Sequence, residues 1–221
     1  MTRARSLVKA NPFRSDASGV AAVEFAFILP IALGIMALVV YGGELYSVQR
    51  KVSLGAATVA NLVAQANNTV PATLTQAEMS QILAYPDLIL YPYDPTQAVE
   101  VVASQLKVTV TLVNGVATTT TTTVAGYWAN ANAVTAKATP TCGQQVTIDP
   151  NIVSALTAGL SASGTYNYYV IQGTVLLPGQ PSYNQYGSLY GSAAQITLHD
   201  SELMIPRNSD TGITGPSPDG C

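Results

Sequence analysis

The sequence has few charged residues: only 10% of its 221 residues are Asp, Glu, Lys or Arg, whereas 48% are hydrophobic. Soluble globular proteins usually carry about 25% charged residues. Much of this imbalance lies in one segment, so the composition points first to a membrane protein. The length allows one compact domain plus an anchor, and a second full domain would be crowded.

Histidine and cysteine are also scarce, which limits the available chemistry. A Ser-His-Asp triad would need His199, the single histidine, and no G-x-S-x-G motif accompanies it. The two cysteines, Cys142 and Cys221, lie too far apart for a C-x-x-C redox motif or a zinc site. Asp200 and Glu202 alternate on a predicted strand. We interpret them as surface charges on an edge strand, which is simpler than a catalytic carboxylate pair. We therefore expect no enzymatic activity, no cofactor and no metal.

Basic residues are few and unevenly distributed. Of the nine Lys and Arg residues, four lie near the N-terminus, namely Arg3, Arg5, Lys9 and Arg14. The rest of the chain is mildly acidic, which argues against a nucleic-acid partner, because such a partner requires a basic face.

An uncharged run extends from Phe25 to Gly43, FAFILPIALGIMALVVYGG, with Pro30 expected to kink it. As a helix its 19 residues would measure roughly 29 Å, which matches a hydrocarbon core of about 30 Å. Four basic residues precede the run and only Arg50 and Lys51 closely follow it, so the N-terminus is predicted to be cytoplasmic.

A cleaved signal peptide is the alternative interpretation of this segment. A basic start, an apolar stretch and the small residues Gly55, Ala56 and Ala57 resemble one. However, the run exceeds the usual 7 to 15 residues, and the charged stretch ELYSVQRK separates it from the small residues. We therefore favour a retained single-pass membrane helix.

The helical pattern continues beyond the run. Apolar or small residues recur at spacings of three and four: Leu45, Val48, Val52, Gly55, Val59, Leu62 and Ala66. This pattern predicts one helix from about Val20 to Asn67, roughly 70 Å long. Its stripe is suited to pack on the chain's own domain, on neighbouring subunits, or on both.

The remaining chain predicts an α+β head with an antiparallel sheet. A capping box, Thr75 to Glu78, opens a short helix expected to end before Pro86, and an extended Tyr/Pro loop follows. The later elements are strands over Leu106–Val113 and Val116–Trp128 joined by an Asn114-Gly115 turn, a helix from Asp149-Pro150 to about Leu160, and strands over Tyr166–Leu177 and Ala194–Ile205. Between the last two strands, Tyr183, Tyr186 and Tyr190 either form a contact surface or belong to an ordinary loop.

The residues just before the apolar run are Ser18-Gly-Val-Ala-Ala-Val-Glu24-Phe25. Glu24 is unexpected there, because a carboxylate at the edge of a membrane helix costs free energy and such residues are often functional. The simpler alternative is an acid that stays among the lipid headgroups.

The stretch G-VAAVEFAFILP resembles the cleavage site of type IV prepilins, and more closely that of the Flp and TadE/TadF group of tight-adherence pilus systems. The resemblance implies cleavage of the Gly19–Val20 bond by a prepilin peptidase, with Glu24 as the fifth mature residue. Phe25 stands where the major Flp pilins have tyrosine. Cleavage would create an α-amino group on Val20 with a pKa near 8, and Glu24 would neutralise it in an apolar filament core. Glu24 would thus set the register between neighbouring subunits.

The chain continues for about 175 residues past the apolar run, so the resemblance implies a TadE/TadG-type minor pilin or pseudopilin rather than a major subunit. The expected divisions are a leader at 1–19, a transmembrane helix at 20–43, a helix extension at 44–68 and a head at 69–221. Expected partners are other pilus subunits, the prepilin peptidase and the inner membrane. The alternatives are a monomeric membrane-tethered binding module and, less favoured, an exported enzyme.

A disulfide between Cys142 and Cys221 is expected if the head faces an oxidising compartment. It would close a loop of roughly 80 residues and stabilise the fold by up to about 4 to 5 kcal/mol. Two free thiols are the alternative.

Overall fold

The computed structural model describes residues 17–66, 74–92, 99–178, 197–206 and 212–213. The chain divides into two compact units, one ending at Tyr46 and the other beginning at Ser47. The elements of the described ranges are α1 (Ala17–Ala66), α2 (Gln76–Leu90), β1 (Glu100–Val113), β2 (Val116–Ala129), α3 (Ala131–Ala136), α4 (Pro150–Thr157), β3 (Gly164–Leu177) and β4 (Leu198–Met204). The predicted α+β class is confirmed.

Helix α1 is the long N-terminal helix that the apolar spacing predicts, and it has 50 residues. It continues through Pro30, although proline removes one backbone hydrogen bond. The surrounding Ala, Leu, Ile and Met residues include several strong helix formers, which maintain the helix on both sides of the proline.

Helix α2 begins as predicted but ends later. The Thr75 hydroxyl oxygen accepts from the Glu78 backbone N–H at 3.3 Å, and Glu78 Oε2 accepts from the Thr75 backbone N–H at 2.8 Å. The prediction that the helix ends before Pro86 is wrong, because α2 includes Pro86 and runs to Leu90. Pro86 is buried and packs beside Gly55 of α1, and Leu90 is fully buried. Burial of these apolar side chains offsets the hydrogen bond that proline lacks.

Strands β1 and β2 form the predicted hairpin. Asn114 and Gly115 both have positive φ, 52° and 77°, as a type I′ turn requires. β1 begins at Glu100, six residues before the predicted start at Leu106. Its first half is buried on both faces, so the alternation that marks a one-sided strand is missing there.

The sheet is antiparallel with strand order β2-β1-β3-β4. Helix α4 is three residues shorter than predicted, and the start of the last predicted strand, at Ala194, lies outside the described residues. Helix α3 was not predicted. Its cap, Asn130, accepts from the Ala133 and Val101 backbone N–H groups at 3.0 and 3.1 Å.

One face of the sheet carries a core cluster under α4. Its buried members come from the central strands, their neighbour β2, and the segment containing α4: Leu106, Val108, Val110, Leu112, Val124, Ile148, Leu156 and Val170. Alternate residues of β1 point to this face because side chains alternate along a strand.

The opposite face receives the second half of α1. The predicted stripe is largely confirmed, although burial shifts to Val63 and Ala64 while Leu62 is only half-buried. The fully buried residues of this helix segment are Val48, Val52, Ala56, Val59, Ala60 and Val63. The packing is closest at Gly173 of β3, where an added Cβ would collide with the Ala56 carbonyl oxygen and lie 2.8 Å from the Ala60 nitrogen. Only glycine permits this approach of helix backbone to strand.

We expect Gly173→Ala to destabilise the head by about 1 to 3 kcal/mol, because the new methyl group meets backbone that has no room to yield. Thermal unfolding of the full chain in detergent micelles measures the effect. Gly164→Ala, in the same strand, is the matched control, because its Cβ would lie 3.6 Å from the Tyr166 ring. Equal melting temperatures for the two variants would contradict the close approach at Gly173.

Candidate functional site

The predicted scissile bond lies at the start of α1. Gly19 and Val20 are in its first turns, Val20 is 63% exposed, and no atom lies within 4 Å of the position that a Cβ on Gly19 would take. Both residues are exposed in the first part of the helix that the structure describes.

Glu24 lies one turn beyond Val20 on the same side of the helix, since residues four apart are neighbours on a helix surface. Its side chain and that of Phe25 are exposed. Within the described ranges, the Glu24 carboxylate makes no hydrogen bond or ion pair. A helix beginning at Val20 would present unpaired N–H groups and a positive dipole end, to which a carboxylate in this position is favourably placed.

The helix that carries these residues is long and apolar enough to cross a membrane. Its most apolar 18-residue window has a mean hydropathy of 2.5, and none of that window is buried. The core helix of a soluble domain would meet the same criteria of length and composition, but it would be buried. A signal sequence would also meet them.

The structure assigns a packing role to one of the two acids weighed for catalysis. Asp200 accepts a hydrogen bond from the Ser53 hydroxyl group of α1, and the neighbouring His199 carbonyl oxygen accepts one from Gln49 at 3.3 Å. The prediction that His199 is a strand residue is confirmed, in β4. In the described ranges, no three His, Cys, Asp or Glu residues are close enough to hold a metal ion. Asp200 thus links α1 to the edge of the sheet.

The predicted disulfide lies only partly within the structure. Cys142 lies in an exposed turn whose next residue, Gly143, donates its N–H to the Val124 carbonyl oxygen at 2.9 Å. Cys221 lies outside the described residues, and so do Tyr183, Tyr186 and Tyr190 of the tyrosine-rich loop. The Cys142–Cys221 pairing stays a prediction.

A small cavity lies between α2 and the end of β2. It has a volume of about 230 Å³, below the roughly 300 to 1,000 Å³ of small-molecule sites. Its lining includes Met79, Leu83, Trp128 and Asn130. The cavity is too small for a typical ligand, so we assign it no binding function.

The chain matches no protein-family profile, no curated protein and no solved structure. The pilin resemblance therefore depends on the residues of the N-terminal motif.

Glu100 is a feature that the sequence patterns did not predict. It begins β1 opposite Leu176 of β3 and is only 8% exposed, and its carboxyl group makes no hydrogen bond or ion pair within the described ranges. Burial raises the pKa of Glu100 above its usual value. As pH rises, the unfolded chain therefore loses the Glu100 proton at a lower pH than the folded chain does. The stability of the fold decreases as pH rises from the pKa of Glu100 in the unfolded chain through its pKa in the fold.

We expect Glu100→Gln to raise the melting temperature at neutral pH, with a gain that disappears below the usual pKa of a glutamate. Glu78→Ala is the opposite control, because hydrogen bonds from the Thr75 backbone and side chain lower the pKa of Glu78. The ionised Glu78 side chain stabilises the fold at pH values above the usual pKa of a glutamate. Glu78→Ala should therefore lower the stability of the fold at neutral pH but not in acid. Melting curves of the full chain against pH measure both. A Glu100→Gln gain that persists unchanged in acid would contradict the burial argument.

Proposed function

We propose that this chain is a membrane-anchored, non-catalytic minor pilin-like subunit, or pseudopilin, of the TadE/TadG type in a tight-adherence pilus. In this proposal the N-terminus is cytoplasmic, α1 spans the inner membrane once, and the head is periplasmic or extracellular. A prepilin peptidase removes the leader after Gly19. The observation that carries the proposal is the spacing of Gly19, Val20 and Glu24 immediately before an uncharged, exposed helical run.

The exposed apolar surface of this run requires a cover. Twelve large apolar side chains between Phe25 and Tyr41 are at least 40% exposed. Burial of one such side chain is worth about 1.5 to 3 kcal/mol, so covering the set yields on the order of 20 kcal/mol. Lipid supplies this cover for a membrane-inserted subunit, and neighbouring helices supply it within a fibre.

The attachment of the second half of α1 to the sheet supports the proposal. The Gly173 approach and the Ser53–Asp200 hydrogen bond fix residues 47–66 to the head. A force on this helix segment is then transmitted to the sheet. A subunit joined to its neighbours through a helix needs this connection, because a flexible joint would let the head swing.

Glu24 supports a subunit role in particular. A carboxylate near an apolar segment is costly when it is unpaired. Within the described ranges it has no partner, and the α-amino group on Val20 after cleavage would provide one. In an assembled fibre, the amine of an adjacent copy would supply this charge and set the axial register.

A monomeric membrane-tethered binding module is the second candidate, favoured by the exposed polar end of the sheet. There Thr109 donates to Asn167 Oδ1 at 2.8 Å, and the Thr111 and Thr165 hydroxyl groups lie 3.4 Å apart. Such a surface is suited to polar ligands. In this case α1 would be only a tether, and Glu24 would have no role in assembly.

Processing is tested by expressing the full chain with and without a tight-adherence prepilin peptidase. We expect the N-terminal sequence of the membrane-extracted protein to begin at Val20 when the active peptidase is present. A catalytically inactive peptidase should leave the leader in place. An intact leader in cells that process a known pilin would contradict cleavage after Gly19.

Assembly is tested with Glu24→Ala, compared with Glu44→Ala at the other end of the apolar run. We expect Glu24→Ala to abolish recovery of the chain in sheared fibre fractions while leaving its amount in the membrane unchanged, because only the pairing with a neighbour is lost. Glu44→Ala should behave as wild type. The tethered-module alternative predicts no difference between the two variants.

A further inference from the structure

The C-terminal end of α2 presents an exposed apolar patch. We name Tyr85, Leu88 and Tyr91 the α2 patch; they are 45%, 73% and 74% exposed. Elsewhere on α2 the large apolar side chains are buried, with Met79 and Leu90 at 1% and 0% exposure, except for the half-buried Ile89. One face of α2 is thus buried within the head, whereas Leu88 and its two tyrosine neighbours are exposed.

Two contacts locate this patch relative to α1. Lys51 Nζ donates to the Tyr91 carbonyl oxygen at 2.8 Å. One turn further along α1, Gly55 lies against Pro86, whose Cβ is 3.4 Å from the position of an added Cβ. The two helix segments therefore run in opposite directions here. The α2 patch lies at the end of the head where α1 enters it.

The sequence places this end of the head close to the apolar run. Lys51 follows Gly43 by eight residues, and eight helical steps cover about 12 Å. A bilayer of about 40 to 45 Å with a core of about 30 Å has an interfacial layer of roughly 5 to 8 Å on each side. Lys51 and Tyr91 are therefore tethered within side-chain reach of that layer.

The chemistry of the patch fits a lipid interface. Tyrosine is enriched at membrane interfaces because its ring is apolar and its hydroxyl group is polar. Leu88 supplies apolar surface, and the exposed Arg50 supplies positive charge for lipid phosphates. Asp87, the acid at this end of α2, has an interaction partner within the structure.

We propose that the α2 patch, with Arg50, rests on the outer surface of the bilayer that α1 spans. This contact is a second attachment of the head to the membrane, separate from the helix. The inference depends on the proposed membrane-spanning role of the apolar run. It predicts that Tyr91 lies in the interfacial layer while the β1–β2 hairpin, at the opposite end of the sheet, stays in water.

The full chain is reconstituted into vesicles of phosphatidylcholine with phosphatidylglycerol as the minor lipid. A fraction of the phosphatidylcholine is brominated on the acyl-chain carbons near the headgroup. Tyr91→Trp is compared with Val116→Trp, which places the probe at an equally well exposed hairpin position, 65% against 74%. Wild-type emission from Trp128, which is 3% exposed, is subtracted and also reports that the head is folded. We expect brominated lipid to quench the tryptophan at position 91 and shift its emission to the blue. The tryptophan at position 116 should keep the emission of a solvated indole.

A second variant tests the apolar contact. Adding Leu88→Glu to Tyr91→Trp should remove most of the quenching and the blue shift, whereas adding Val116→Glu should leave them unchanged. If the protein floats with the vesicles but the tryptophan at position 91 is not quenched, the inferred contact of the α2 patch is wrong. The proposed membrane anchor would not be contradicted by that result. Equal quenching at positions 91 and 116 would also overturn the inference, because contact would then be nonspecific. Protein that does not float with the vesicles would overturn the proposed anchor itself.

Discussion

Helix α1 approaches strand β3 so closely at Gly173 that a single methyl group there would collide with the Ala56 carbonyl oxygen. This contact commits the second half of α1 to the sheet, and the hydrogen bond from Ser53 to Asp200 fixes the helix at the sheet edge. The first half of the same helix is uncharged from Phe25 to Gly43 and exposed. One continuous helix therefore has one half packed on the sheet and one half with exposed apolar side chains, and we propose that lipid or other subunits cover the exposed half.

The charge distribution agrees with this division of α1. Four basic residues precede the apolar run, and Glu24 stands at its start, where a carboxylate is costly without a partner. At the far end, Arg50 and Lys51 lie in the part of the chain that we place outside the membrane. The α2 patch lies at this same end of the head. The proposed anchor, register residue and lipid contact thus all follow from where the uncharged run begins and ends.

The sequence predicted those parts of the fold that depend on local chemistry. The spacing of Val48, Val52 and Val59 marked the buried stripe of α1, and both the capping box and the Asn114-Gly115 turn formed as expected, because each is satisfied within a few residues. Where tertiary packing decides, the predictions were wrong or missing. Pro86 lies inside α2 because its ring is buried beside α1. Glu100 was not foreseen as buried, because no local pattern marks a strand covered on both faces.

The most direct test of the account is the intact mass of the mature protein recovered from the membrane fraction of the native cell after alkaline carbonate extraction. The account predicts that the protein stays in the membrane pellet and that its mass includes the whole segment from Val20 to Gly43. A soluble protein whose mass corresponds to a chain that starts after Gly43 would contradict the account. The apolar half of α1 would then be a cleaved export signal and not a permanent membrane anchor or subunit interface.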